Sequence, residues 1–85
     1  MYEIYTSNNK VEKKLLKYID SRKDIKGKLE RLKINPRKEC GAHSLRGNLK
    51  GKWSCWLGSN LRLIYIIDNE KNIIWIEDMG THKVY

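Results

Sequence analysis

Residues 53–79 read WSCWLGSNLRLIYIIDNEKNIIWIEDM, and the period of this stretch is two. Trp53, Cys55 and Leu57 alternate with Ser54 and Trp56, which puts the two sets on opposite faces of a strand. Gly58-Ser59-Asn60 predicts a turn, and Leu61–Ile67 is dense in β-branched and aromatic residues. On that second strand Leu61, Leu63, Tyr65 and Ile67 share one face, and Arg62, Ile64 and Ile66 share the other. Asp68-Asn69-Glu70-Lys71-Asn72 predicts another turn, and Ile73–Met79 a third strand. Three strands joined by short turns make an antiparallel meander.

The period changes toward the N-terminus. Tyr2–Thr6 predicts a strand, stopped by Ser7-Asn8-Asn9. Asn9 with Glu12 three residues on has the pattern of a capping box, and Val11, Leu15 and Ile19 recur at helical spacing over residues 10–20. Asp20-Ser21 then breaks the pattern and can cap a second helix with the stripe Ile25, Leu29, Leu32, ended by Pro36. The short link predicts an antiparallel helix pair. From Pro36 to Lys52 no period holds. The order is β-α-α-β-β-β, an α+β single domain over residues 1–85.

Eighteen Lys and Arg stand against ten Asp and Glu, a net charge of +8. Residues 10–38 hold twelve of the basic residues and four of the acids, so that segment alone accounts for the whole excess. Such asymmetry points to a polyanionic partner: nucleic acid, a ribosome, an anionic membrane or an acidic protein. No apolar run reaches the ~18–20 residues of a membrane span, and Met1–Tyr5 lacks the layout of a secretion signal, so a cytoplasmic location is expected. Cys40 and Cys55, fifteen positions apart, fit neither a CxxC metal site nor a disulfide framework and read as reduced thiols with at least one buried. No metal cluster, glycine-rich phosphate loop or Ser/Cys–His nucleophile signature is present, and no cofactor is expected.

Six residues could carry chemistry: His43, Lys50, Lys52, Arg62, His82 and Tyr85. Arg62 sits in an otherwise apolar strand, where its guanidinium needs a carboxylate, the sheet edge or a concave site. In the last case it can grip two phosphate oxygens at once. His43 and His82, the only histidines, flank the meander in sequence. A base, an acid and a cation around one face suffice for ribonucleolysis by internal attack. Trp56 can stack on a base or fill core.

At this point the chain resembles the RelE/ParE superfamily of toxins, and its RelE, YafQ and YoeB branches most. The likeness rests on the β-α-α-β-β-β order, on Leu49-Lys50-Gly51-Lys52-Trp53-Ser54 followed by Arg62-Leu63-Ile64-Tyr65, and on Gly80-Thr81-His82. It implies a ribosome-dependent endoribonuclease that cuts mRNA in the A site of the small subunit and is neutralised by an acidic, RelB-like antitoxin. A ParE-like toxin on the same fold would act on DNA gyrase instead, and a third reading is a weakly catalytic RNA- or protein-binding member of the fold. Within the resemblance, Arg62 matches the strand arginine that stabilises the transition state. His82 matches the C-terminal general acid or base, His43 falls at the position of the other proton-transfer group, and Tyr85 is similar to the terminal aromatic that positions the nucleotide. Lys50 and Lys52 beside the site, with Lys13, Lys17 and Lys28 on the helices, are the expected RNA contacts. Trp56 and Asn60 depart from the YafQ pattern of histidine and aspartate. Asp78 stands where relatives often have an arginine, and it would either repel the scissile phosphate or pair with Arg62.

Overall fold

The computed structural model describes residues 1–81. His82 and Tyr85, both expected at the site, lie outside the described residues. The elements are β1 (Glu3–Thr6), α1 (Asn9–Ser21), α2 (Asp24–Ile34), β2 (His43–Ser44), β3 (Trp53–Trp56), β4 (Arg62–Asp68) and β5 (Ile73–Gly80). Two 3-10 turns, Glu39–Gly41 and Gly47–Leu49, occupy the stretch without a period. The expected meander is β3-β4-β5, antiparallel throughout.

The sheet is larger than the sequence pattern implied. Its order is β1-β5-β4-β3-β2, with β1 parallel to β5 and the two-residue β2 antiparallel to β3. The first and last strands thus lie side by side, which makes a mixed five-stranded sheet. Both helices pack on one face. Val11, Leu15, Ile25, Leu29 and Leu32 meet Cys55, Leu57, Leu61, Leu63, Tyr65, Ile74, Ile76 and Met79 in one buried cluster. On β3 and β4 these are the residues that the period of two assigned to one face, so the register there follows the hydrophobic pattern; on β5 the core residues pass from Ile74 and Ile76 to Met79 across a register shift.

Helix boundaries differ from expectation in three places. The N-cap of α1 is Asn8, whose Oδ1 accepts from the Val11 N–H at 2.9 Å; Asn9 is already helical. Asn8 is extended, so the backbone turns one residue earlier than the Asn9–Glu12 spacing suggests. Ser21 belongs to α1, and Arg22 closes it by donating its N–H to the Tyr18 carbonyl. Helix α2 starts without a side-chain cap at Lys23. It stops at Ile34, two residues before Pro36, because proline denies helical geometry to the residue before it.

Pro36 is buried, and its carbonyl accepts a 2.6 Å hydrogen bond from the Tyr65 hydroxyl at the centre of β4. Burial pushes the Tyr65 phenol well above its ordinary range, so it remains a donor at every working pH. A second clamp holds the β3–β4 turn. Arg22 donates to the Leu57 and Gly58 carbonyls, Lys28 donates to Leu57, and Asp24 pairs with both cations. Gly58 has φ +85°, a left-handed conformation that favours glycine, and a Cβ there would lie 2.7 Å from the Lys28 Nζ, so a side chain would also press on the clamp. Tyr65→Phe should strand the buried Pro36 carbonyl and destabilise the protein by about 1–3 kcal/mol. Urea unfolding with unchanged m-value checks this, and an unshifted midpoint would contradict it.

Candidate functional site

The β3–β4 turn decides which residues face each other. Leu57 N–H donates to Leu61 O and Leu61 N–H to Gly58 O, both at 2.9 Å, across Gly58, Ser59 and Asn60, all at positive φ. That closure pairs Trp56 with Arg62, and Arg62 in turn with Gly80 on β5. The next row runs His43, Ser54, Ile64 and Asp78 across four strands. Cross-strand partners share a face, so both rows lie on the side of the sheet turned away from the helices. His43 and Arg62 therefore share a face, two strands and one row apart, about 12 Å between their backbones.

Arg62 lies over the Trp56 indole, its guanidinium carbon 4.0 Å from the ring centroid. Trp56 is 39% exposed, so it does not fill core. A Cβ on Gly41 would approach its Cδ1 to 3.4 Å, which places the first 3-10 turn against the indole. The same turn orients His43, whose Nδ1 lies 3.2 Å from the Gly41 carbonyl. With Nδ1 as donor, Nε2 keeps its lone pair and can accept a proton. The turn is fastened to α2 by the Cys40 thiol, which donates to the Lys28 carbonyl at 3.6 Å. The neighbouring Cys55, buried on β3, lowers the Cys40 pKa to about 7, while its own thiol is pushed far up by Cys40 and by burial. Both cysteines are free thiols, as the sequence implied.

The lysines divide into two groups. Lys13 and Lys17 on α1 and Lys50 after the second 3-10 turn are exposed. Lys28 and Lys52 are half-buried and already engaged. Lys28 belongs to the turn clamp, and Lys52 pairs with Glu77 at 3.2 Å. Asp78 is paired with Lys14 at 3.5 Å and accepts from the Met79 N–H at 2.8 Å, so part of its charge is offset beside the site. Lys14 carried no signal in the sequence beyond a lysine four residues from the apolar Tyr18. Lys14, Lys17, Tyr18, Ser21, Met79, Gly80 and Thr81 line a groove of about 440 Å³ between α1 and the end of β5.

This arrangement of β1, two helices and then β2 to β5, with β1 beside β5 and a helix hairpin on one face, is the RelE-like fold. Solved structures of toxins share it along nearly their whole length. The YoeB–YefM complex from Staphylococcus aureus is 20% identical, covering 96% of this chain and 98% of that one with a TM-score of 0.74. YafQ from E. coli is 23% identical, covering 96% and 94% with a TM-score of 0.65. The RelBE2 toxin–antitoxin complex from Mycobacterium tuberculosis is 19% identical, covering 95% and 98% with a TM-score of 0.64. No family model matches the sequence, and no curated protein matches it.

Glu77 gives the site a pH dependence. The Ser7 hydroxyl donates to its carboxylate and Lys52 lies beside it, which together hold its pKa below the ordinary value of 4.5. A depressed folded pKa stabilises the protein fully above the unfolded value, and the contribution is lost as pH falls through the folded one. Glu77→Gln should therefore lower stability at neutral pH, and the deficit should shrink below about pH 4.5. Urea midpoints for both proteins between neutrality and acid measure it; a deficit constant with pH would refute the assignment.

Proposed function

We propose that this protein is the toxin of a type II toxin–antitoxin pair and a ribosome-dependent endoribonuclease that cuts mRNA by internal attack. The observation that carries this reading is the shared face of His43 and Arg62 on a RelE-like fold. His43 has its Nδ1 turned to a carbonyl, and Arg62 is braced on Trp56. The YoeB and RelBE2 neighbours are complexes with their antitoxins, which supports a cognate antitoxin here. A chain with net charge +8 fits an acidic one, and binding would add to the stability of a small core by mass action.

The chemistry divides among few groups. His43 Nε2 takes the proton of the 2′-hydroxyl, and the 2′-oxygen attacks the adjacent phosphorus. The phosphorus–O5′ bond breaks, and the leaving oxygen takes a proton from the second acid, a role assigned to His82. Arg62 is charged at any working pH, so it stabilises the extra negative charge of the transition state rather than moving a proton. Tyr85 is assigned to positioning the nucleotide, and Lys50 and Lys52 to the backbone nearby. Products are a 2′,3′-cyclic phosphate and a 5′-hydroxyl, and no metal or other cofactor takes part. The arginine and histidine favour this reading over gyrase inhibition, which requires neither.

Two outcomes test the proposal. Arg62→Ala should slow single-turnover cleavage of mRNA on programmed ribosomes about 100- to 1000-fold, the loss seen when an oxyanion donor is removed. End-group analysis should find 5′-hydroxyls with EDTA present; 5′-phosphates, or a variant as fast as the parent, would overturn it. Docking on ribosomal RNA belongs to the exposed lysines of α1. Charge reversal of Lys13 and Lys17 together should reduce the log–log salt slope of ribosome association by roughly two units. An unchanged slope would exclude α1 from that contact. Lys28 is unsuited to the same experiment, because its charge holds the β3–β4 turn.

A further inference from the structure

We propose that Trp56 is the nucleobase-stacking residue of this site and the positioning residue for Arg62, its ligand being the base of single-stranded RNA that flanks the scissile phosphate. The inference rests on the nuclease reading above and adds a recognition element to it. Trp56 is a large aromatic on a strand, 39% exposed, when nearly every other large apolar residue of β3–β5 is buried or half-buried. Three constraints hold it there. The β3–β4 turn sets it directly opposite Arg62, the guanidinium stacks over its ring at 4.0 Å, and the 3-10 turn packs beside its Cδ1 at Gly41.

Each constraint has a chemical consequence. The cation–π contact fixes the plane of a side chain that otherwise has many rotamers, so the phosphate meets a fork already oriented. Trp56 is one of the partners of Arg62, and the contact leaves part of the indole surface accessible beside a phosphate-binding cation. Aromatic rings next to phosphate-binding cations are how single-stranded nucleic acid is held without base pairing, because every base has a stacking face. The Glu39–Gly41 turn ties the platform to the proposed base, since the Gly41 carbonyl orients His43 and the same residue lies beside Trp56. A two-ring purine covers more indole than a one-ring pyrimidine, so the stacked position should prefer purines.

The test uses the full-length protein and two readouts. Binding is measured with short RNA oligonucleotides made uncleavable by 2′-O-methylation, differing only in a purine or pyrimidine beside the target linkage. Cleavage is measured on ribosomes carrying the matched codons. Trp56→Ala should weaken binding about tenfold and abolish the purine preference, and it should lower the cleavage rate at saturation because Arg62 loses its brace. Trp56→Phe should restore most of the affinity and the rate, which a merely structural residue has no reason to do. The same alanine substitution at Tyr5, an exposed aromatic three strands away on the same face, should leave the preference intact. If the parent cleaves but Trp56→Ala keeps both its rate and its base preference, the inference fails and the nuclease reading survives. If the parent binds RNA with Trp56-dependent purine preference yet cuts nothing, the nuclease reading fails and the stacking assignment stands.

Discussion

The hydroxyl of Tyr65 and the carbonyl of Pro36 hold the molecule together where helices, loop and sheet meet. The Pro36 carbonyl lies one residue past the C-cap of α2, and burial makes leaving it unsatisfied costly. Tyr65 reaches it from the core face of β4, the strand at the middle of the sheet. This bond fastens the chain to β4 just after α2 has released it and just before the Glu39–Gly41 turn. That turn carries Gly41 to Trp56 and His43 to the sheet edge. The face that carries His43 and Arg62 is thereby positioned by a polar contact buried under the opposite face.

The sheet adds its own constraint. Strand β5 pairs with β1 only over Ile73–Ile76, while its pairing with β4 continues to Gly80. Beyond Ile76 one edge of β5 is therefore turned to helix α1, and Lys14 reaches both the Met79 carbonyl and Asp78 there. The register also shifts between Ile64 and Tyr65, where one extra residue of β5 is accommodated. A bulge of this kind bends a strand and re-aims its side chains. It lies where Glu77 and Asp78, two acids in sequence, find separate cations in Lys52 and Lys14.

Much of this was legible because apolar residues report on burial directly. The period of two assigned Leu61, Leu63 and Tyr65 to one face and Arg62 to the other, and the structure places them so. What was illegible depends on partners that a local pattern does not encode. Strand β2 is two residues long, too short for any period, and the parallel β1–β5 pairing joins residues seventy positions apart. Asn8 and Asn9 are chemically equal as caps, and only the backbone angle of Asn8 separates them. Lysines gave the weakest signal. Lys13 and Lys28 look alike in sequence, yet one is exposed and the other is clamped on the Leu57 carbonyl. Trp56 was open between core and platform, because alternation fixes the face of a strand but not what covers it. His82 and Tyr85 lie outside the described residues, so their placement stays with the resemblance.

The internal use of basic residues does not remove the charge that a partner would sense. Of the twelve in residues 10–38, Lys14, Arg22, Lys28, Arg31 and Lys33 have carboxylate partners, and Arg37 binds Tyr2 and Asn69. Each acid in those pairs is already counted in the net +8, so pairing redistributes the field without weakening its sum. Long-range attraction depends on that sum, whereas contact with a particular phosphate needs a side chain able to move to it. The paired cations of α2 therefore still contribute to that sum, beside exposed lysines such as Lys13 and Lys17 on α1 and Lys26 on α2. The sheet divides the two tasks: attraction arises mainly from the helix side, and the arginine and histidine suited to chemistry stand on the other.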